Sequence, residues 1–158
     1  MAICYTLFNP MPTLAVTPHL RSDYNVLEDY EAGLVLTGAE VKSCKLGHVK
    51  LQGAYVSYEN GKFWLKRAFI APYQLANQSG YDPIRPRQVL LHKREMDYLM
   101  GKVQEAGLTL LPENLYTTRR LVKLKVVLAR GKKKYDKRAD IKKRDVNRQI
   151  ARALRQKI

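Results

Sequence analysis

The dipeptide Asn60-Gly61 restricts the fold most, because it joins two segments in which apolar and polar residues alternate. These segments are residues 54–58 and 62–65, and alternation is typical of half-buried strands. A type I′ turn needs positive φ at both central positions, which Asn and then Gly adopt at low steric cost. The sequence therefore predicts an antiparallel hairpin here, and with it a β-rich fold.

Four more strands are predicted from apolar or alternating segments at residues 24–30 (continuing over 33–36), 88–91, 108–116 and 119–129. The last places Lys123 and Lys125 on one face and four apolar residues on the other: Val122, Leu124, Val126 and Leu128. This pattern indicates a half-buried antiparallel strand with a basic outer face. Six short strands with hairpin turns favour a closed barrel over an open sheet, so we predict a mainly β, small OB-like antiparallel barrel.

Two helices are predicted in the body of the chain, and a helical tail would add a third, so two to three peripheral helices are expected. Residues 38–47 fit a short helix that ends at Gly47, which can take the left-handed conformation of a C-cap. Residues 93–106 fit a second helix, whose one face carries Met96, Leu99, Met100 and Val103. Between them, residues 72–87 form a predicted loop with three prolines, long enough to indicate a role of its own.

The charge of the chain is concentrated at its C-terminal end. The whole chain has 29 Lys and Arg against 14 Asp and Glu, so its net charge is +15. Residues 130–158 contain 13 basic and 3 acidic residues, so they carry +10 of it. Such a segment attracts a polyanion, above all a nucleic acid. A solvated charge run and a basic helix on a membrane surface are the alternatives.

The tail has a second pattern besides its charge. Apolar residues recur every four positions and would form one stripe on a helix: Val146, Ile150, Leu154 and Ile158. Because residues 132–143 offer almost no apolar surface, we predict a tail that is disordered alone and helical on a nucleic acid. The alternative is a helix that packs its stripe onto the barrel. Tyr135 lies among cations, where its ring could stack on a base or simply face the solvent.

We therefore divide the chain into a variable N-terminal leader (1–20), an OB-like RNA-binding barrel (21–130) and a basic tail (131–158). The leader has no basic residue before its apolar run and is interrupted by prolines, so we expect disorder or an over-called start rather than a signal peptide. The two cysteines, Cys4 and Cys44, are isolated, which fits a reducing compartment, the cytoplasm. No run approaches transmembrane length, so no membrane partner is expected.

No catalytic residue, metal site or cofactor is predicted. The histidines His19, His48 and His92 match no metal-ligand spacing, and no phosphate-binding glycine motif is present. A metal-dependent nuclease could use four carboxylates, those of Glu28, Asp29, Glu31 and Glu40. Surface or strand-edge acids in a basic protein are the favoured interpretation, so we expect a non-enzymatic RNA-binding protein.

Five blocks in collinear order together resemble one family, the SsrA-binding protein or small protein B family. They are residues 30–33 (YEAG), 37–43 (TGAEVKS), 82–87 (DPIRPR), 90–95 (LLHKRE) and 129–138 (ARGKKKYDKR). Each block is weak alone, but five in order are specific. The resemblance runs from residue 24 to the C-terminus.

The resemblance implies a role in bacterial trans-translation. The barrel would bind the tRNA-like domain of transfer-messenger RNA in place of its missing anticodon arm and help deliver that RNA to stalled ribosomes. The tail would probe the empty messenger channel near the decoding centre of the small subunit. Elongation factor Tu and alanyl-tRNA synthetase would be indirect partners, through the RNA. A structural ribosomal or ribosome-assembly protein is the alternative.

The resemblance also implies the site residues. For the tRNA-like domain they are Arg21, Glu31, Gly33, Lys42, Leu90, His92, Lys93 and Arg94. For the ribosome they are Gly131, Lys132, Lys133, Tyr135, Asp136, Lys137 and Arg138. Glu31 matches the acidic residue of the family's RNA site, and Tyr135 stands where the family often has His.

One segment departs from the family pattern N-(K/R)-(K/R)-A-R-H-(D/E)-Y. Residues 17–24 read TPHLRSDY, so Arg21, Asp23 and Tyr24 keep the register while the Asn and two basic residues are absent. Weaker RNA affinity, a diverged RNA partner and compensation by the barrel face are the three consequences left open.

Overall fold

The computed structural model describes residues 12–74, 80–133, 142, 145–150 and 152. Within these ranges the body contains nine strands and three helices. In chain order they are β1 (Thr13–Val16), α1 (Leu20–Asp23), β2 (Tyr24–Leu34), α2 (Gly38–Lys45), β3 (Val49–Lys50), β4 (Tyr55–Glu59), β5 (Lys62–Lys66), β6 (Phe69–Ile70), β7 (Arg87–Leu90), α3 (Lys93–Val103), β8 (Leu108–Thr118) and β9 (Leu121–Gly131).

Six strands close into an antiparallel barrel. The order β8-β4-β5-β7-β2-β9 returns on itself because β9 also pairs with β8, so neither side is left as a long free edge. Alternate residues of these strands point inward and form one buried core, with Phe63, Leu65, Leu110 and Leu124 almost inaccessible to solvent. The predicted mainly β, OB-like antiparallel barrel with a few peripheral helices is thereby confirmed.

The turn at Asn60-Gly61 is confirmed, with φ of 52° and 75° between β4 and β5. The sequence predicts a strand from Arg119 onward, and this prediction is wrong at Arg119 and Arg120. They form the tight turn between β8 and β9 and have φ of 44° and 73°. No Asn or Gly marks this reversal, so residue pattern alone could not locate it.

The end of the predicted leader is ordered, so the expectation of disorder is wrong from Thr13 onward. Strand β1 pairs with β8, and Leu20 of α1 is only 4% exposed. Leu20 packs against Leu111, Val127 and Ala129 in a second small apolar cluster. Strand β9 is therefore buried on both faces at this end, where a basic outer face alone was expected.

Both predicted body helices are present. Helix α2 begins with a capping box, in which the Glu40 backbone N–H donates to Thr37 Oγ1 (3.3 Å) and the Thr37 N–H donates to Glu40 Oε2 (2.8 Å). Just after it, Gly47 has φ of 77°, as expected. On α3, Leu99 is fully buried while Met100 remains exposed.

Beyond Lys133, the tail is described at residues 142, 145–150 and 152, all of which are helical. The tail is therefore helical at these positions, where disorder in the absence of a nucleic acid was predicted. Val146 and Ile150 are 45% and 52% exposed, so this part of the apolar stripe is not packed onto the barrel. None of the described helices has the length and apolar character needed to span a membrane.

Candidate nucleic-acid interface

A cleft of about 460 Å³ opens where β2, β7 and β9 meet the start of α3. Four residues predicted for RNA binding line this one cleft: Glu31, Gly33, Leu90 and His92. Its other lining residues are Leu34, Leu91, Glu95, Leu121, Val122 and Lys123. The fold thus brings together predicted residues from distant parts of the sequence.

Strand register explains why these residues meet. Gly33 lies opposite Leu90 on β7 and opposite Lys123 on β9, so it occupies the centre of the cleft floor. A Cβ atom added to Gly33 would lie 3.5 Å from Leu90 Cβ, in ordinary contact. The Leu90 side chain opposite this glycine is 49% exposed. A flat apolar wall of this kind can contact the face of a base or ribose.

Glu31 is held as an ionised carboxylate at the rim of the cleft. The Tyr116 hydroxyl donates a hydrogen bond to it, and Lys123 Nζ lies 3.2 Å from its Oε1. Both interactions lower the pKa of Glu31, the Tyr116 bond most, and Tyr116 in turn has its pKa raised to about 12 by burial and by Glu31. About half of the Glu31 side chain remains exposed. It can therefore accept hydrogen bonds from base amino groups or ribose hydroxyls.

The start of α3 forms one side of the cleft. His92 is the N-cap residue, and its backbone N–H donates to Glu95 Oε2 at 3.0 Å. Lys93 and Arg94 follow in the exposed first turn, beside the cleft but outside its lining.

Two predicted RNA-binding residues lie away from this cleft. Lys42 is on α2, where its Nζ is 5.4 Å from the centre of the Tyr73 ring. Arg21 is on α1, where its Nε is 2.7 Å from Glu113 Oε1. The eight predicted residues therefore do not form one compact site.

The base of the tail lies at the Arg21 end of the barrel. The Lys132 N–H donates to Asp23 O, and Lys132 Nζ donates to Arg21 O, both at 3.0 Å. Gly131, the last residue of β9, pairs with Tyr24, while Lys133 is exposed just beyond. Four predicted tail residues, Tyr135, Asp136, Lys137 and Arg138, lie outside the described residues.

The acidic residues considered for a nuclease are dispersed. Glu40 is buried and pairs with two arginines, Arg85 (2.5 Å) and Arg87 (2.9 Å). Glu28 accepts a hydrogen bond from Tyr98 Oη at 2.9 Å. Asp29 pairs with Lys125 on the outside of the barrel. Within the described ranges, no three His, Cys, Asp or Glu side chains converge as metal ligands would.

The sequence did not identify Leu121 and Lys123 of the cleft lining, nor Tyr116, which donates to Glu31 from outside that lining. The alternation along β9 identified Lys123 as outward-facing, but its neighbours depend on which strands pair. Tyr116 and Glu31 are 85 positions apart and meet only across β9. No local pattern in the sequence could have connected them.

Comparisons with known proteins agree with this geometry. A family model described as SmpB protein matches residues 16–156. The SsrA-binding protein of Carboxydothermus hydrogenoformans is 49% identical over 133 residues, which cover 84% of this chain and 89% of that protein. The SsrA-binding protein of Thermosipho africanus is 44% identical over 146 residues, which cover 92% and 98%.

A solved structure gives the same result. It is described as "tmRNA-SmpB: a journey to the center of the bacterial ribosome", and one of its chains matches with a TM-score of 0.63 and 43% identity. The match covers 75% of this chain and 84% of that one. The family model spans both the cleft residues and the basic tail. The chain therefore belongs to the SmpB protein family.

Proposed function

We propose that this protein binds the tRNA-like domain of transfer-messenger RNA and helps deliver it to stalled ribosomes during trans-translation. Its relatives are SsrA-binding proteins, and the matched solved structure concerns tmRNA and SmpB in the bacterial ribosome. The observation that carries the proposal is the cleft, which assembles Glu31, Gly33, Leu90 and His92 on one surface. The role is one of binding and delivery in the cytoplasm, with no catalytic step.

In this proposal the cleft reads the RNA by two kinds of contact. The Glu31 carboxylate accepts hydrogen bonds from amino or hydroxyl groups, and Leu90 with Leu121 offers apolar surface to a base or ribose. Lys93 and Arg94 supply phosphate contacts beside it. Such a mixture suits an unpaired loop, whose bases are open to side chains, better than a regular duplex.

The basic tail acts at a second site, the messenger channel of the small subunit near the decoding centre. What supports this role is the charge of residues 130–158 and the position of Lys132 at the barrel end next to Arg21. The tail residues assigned to this contact are the seven named above, from Gly131 to Arg138. The leader, barrel and tail division is part of the same proposal, with β1 and α1 attached to the barrel. Elongation factor Tu and alanyl-tRNA synthetase act with it indirectly, through the RNA.

Replacing Glu31 tests the proposal at the cleft. We expect Glu31→Gln to weaken binding of the labelled tRNA-like domain by roughly tenfold or more, because a hydrogen bond to a charged group contributes about 1.5–3 kcal/mol. Binding can be followed by fluorescence anisotropy at fixed salt. Asp29→Asn is the matched control, since Asp29 is on the same strand, pairs with a lysine as Glu31 does, and lies outside the cleft lining.

Two results would contradict the proposal. One is equal affinity of the wild-type protein for the tRNA-like domain and for an unrelated RNA of the same length. The other is a wild-type protein that binds ribosomal RNA with no preference for transfer-messenger RNA, as a structural ribosomal protein would. Either result would leave the fold and the family assignment intact.

A further inference from the structure

The turn between β8 and β9 has a backbone conformation that its two residues disfavour. Arg119 and Arg120 have φ of 44° and 73°, a left-handed backbone that brings Cβ close to the following carbonyl oxygen. Glycine avoids this contact, and asparagine tolerates it better than arginine does. The chain therefore holds two long cationic side chains where small residues would be more stable.

The same barrel contains a direct comparison. The turn between β4 and β5 also has positive φ at both positions, and there the residues are Asn60 and Gly61. Both turns close a two-residue antiparallel hairpin, with Glu59 opposite Lys62 in one and Thr118 opposite Leu121 in the other. The geometry alone thus does not account for the two arginines.

The arginine turn lies at the rim of the cleft. Leu121, the residue after the turn, lines the cleft and is 63% exposed, and Lys123 lines it two positions further on. Both arginines are exposed, and neither makes an ion pair or a side-chain hydrogen bond with any residue in the described parts of the chain. Their charges are available to a ligand.

The lining of the cleft supplies little positive charge for binding the phosphates of an RNA. Lys123 is the one lysine or arginine among the described lining residues, and its charge is opposed by Glu31 at 3.2 Å. Glu95 adds a second carboxylate to the lining. An RNA strand entering the cleft therefore meets no uncompensated positive charge from a lysine or arginine there, and its phosphates must be neutralised at the rim.

We propose that Arg119 and Arg120 form a phosphate clamp for the RNA bound in the cleft, in addition to Lys93 and Arg94. The turn directly precedes Leu121, which lines the cleft, so an RNA whose base contacts Leu121 has its backbone within reach of two exposed arginines. Guanidinium groups suit this task because they bind phosphate oxygens in pairs of hydrogen bonds. The inference rests on the proposed function and adds residues that the family resemblance does not supply.

A double variant, Arg119→Asn with Arg120→Gly, separates binding from folding. It gives this turn the residues of the other hairpin, so we expect the midpoint of urea unfolding to rise. Binding of the labelled tRNA-like domain should weaken instead, and the slope of log affinity against log salt should fall by about 2. With that slope difference, the affinity ratio of wild type to variant shrinks about sixteenfold between 50 and 200 mM salt.

Arg67→Gly is the matched control, because Arg67 is exposed, has φ of 61° and lies outside the cleft. It should also raise the unfolding midpoint while leaving the affinity and the salt slope nearly unchanged.

The wild-type protein must first bind the RNA for the clamp to be tested. If the double variant then binds it with the same affinity and salt slope as wild type, the clamp alone is overturned. Failure of the wild-type protein to bind this RNA would overturn the proposed function and the clamp with it. An equal loss of affinity in Arg67→Gly would show a general charge effect and also overturn the clamp.

Discussion

Glu40 fixes the loop before β7 to the barrel through a buried ionic network. Its carboxylate accepts hydrogen bonds from Arg85 and Arg87, and Arg87 also donates to Ala68 O (2.7 Å) and Pro83 O (3.0 Å). Arg87 is fully buried, so its charge depends on this partner. Burial raises the pKa of Glu40, but the hydrogen bonds from Arg85, the Thr37 N–H and Arg87 outweigh it and lower that pKa to about 2.

Replacing Glu40 should strongly destabilise the fold. Glu40→Gln leaves the buried Arg87 without its counter-charge, so the free energy of unfolding near pH 7 should fall by about 3–5 kcal/mol. Because the pKa of Glu40 is lowered on folding, its stabilisation is complete above pH 4.5 and is lost as the pH falls toward 2. The difference in stability between wild type and variant should shrink over the same range. Urea unfolding followed by fluorescence of Trp64, the one tryptophan, measures both effects.

An exposed ion pair provides the control for Glu40. Glu59 pairs with Lys66 at the surface of β4 and β5, where water screens the charges. Glu59→Gln should leave the free energy of unfolding within measurement error at every pH. If Glu40→Gln behaved in the same way, the network would not hold the loop, and the DPIRPR block would lack its structural explanation.

At the level of elements, α1 depends on one side chain for its attachment. The helix has only four residues, and Leu20 is the one that packs against Leu111, Val127 and Ala129. Leu20→Ala removes most of this contact, so we expect the free energy of unfolding to fall by about 2–3 kcal/mol, in the range of buried leucine truncations. Urea unfolding at pH 7 measures it.

Leu27 offers the matched truncation, because it is a leucine of the adjoining strand β2 but is about half exposed. Leu27→Ala should change the free energy of unfolding by no more than about 0.5 kcal/mol. Equal losses in the two variants would mean that α1 contributes no specific packing, and that the N-terminal segment is bound to the barrel by β1 alone.

The elements that sequence predicted well are those with strong local signals. The hairpin at Asn60-Gly61, the helix starting at Lys93 and the alternation over β9 each follow from residues within about ten positions. Strand β1 and helix α1 carry no such signal, since their stability comes from contacts with β8 and β9. The turn at Arg119 was missed for the related reason that its residues disfavour the backbone they adopt.

The cleft shows the same limit at the level of the whole molecule. Family resemblance supplied Glu31, Gly33, Leu90 and His92, and the barrel places all four together. It also grouped Arg21 with them, although Arg21 lies beside Tyr24 at the far end of β2. The nine steps from Tyr24 to Gly33 span roughly 30 Å along a strand at about 3.3 Å per residue. The strand order therefore places Arg21 and the cleft at opposite ends of β2.

This separation predicts that RNA binding and ribosome rescue can be uncoupled. Deleting residues 134–158 removes ten basic and three acidic residues but leaves every pair of β9 with β2 and the contacts of Lys132. We expect the shortened protein to keep its unfolding midpoint and its binding of the tRNA-like domain, but to lose tagging of stalled chains in a reconstituted translation reaction with a truncated message.

A cut after Ala129 is the comparison, because it also removes the last pairs of β9 and should lower the unfolding midpoint. Tagging by the protein that ends at Lys133 would show that the tail does not act at the ribosome, while loss of RNA binding in that protein would show that the cleft and the tail do not work as separate sites.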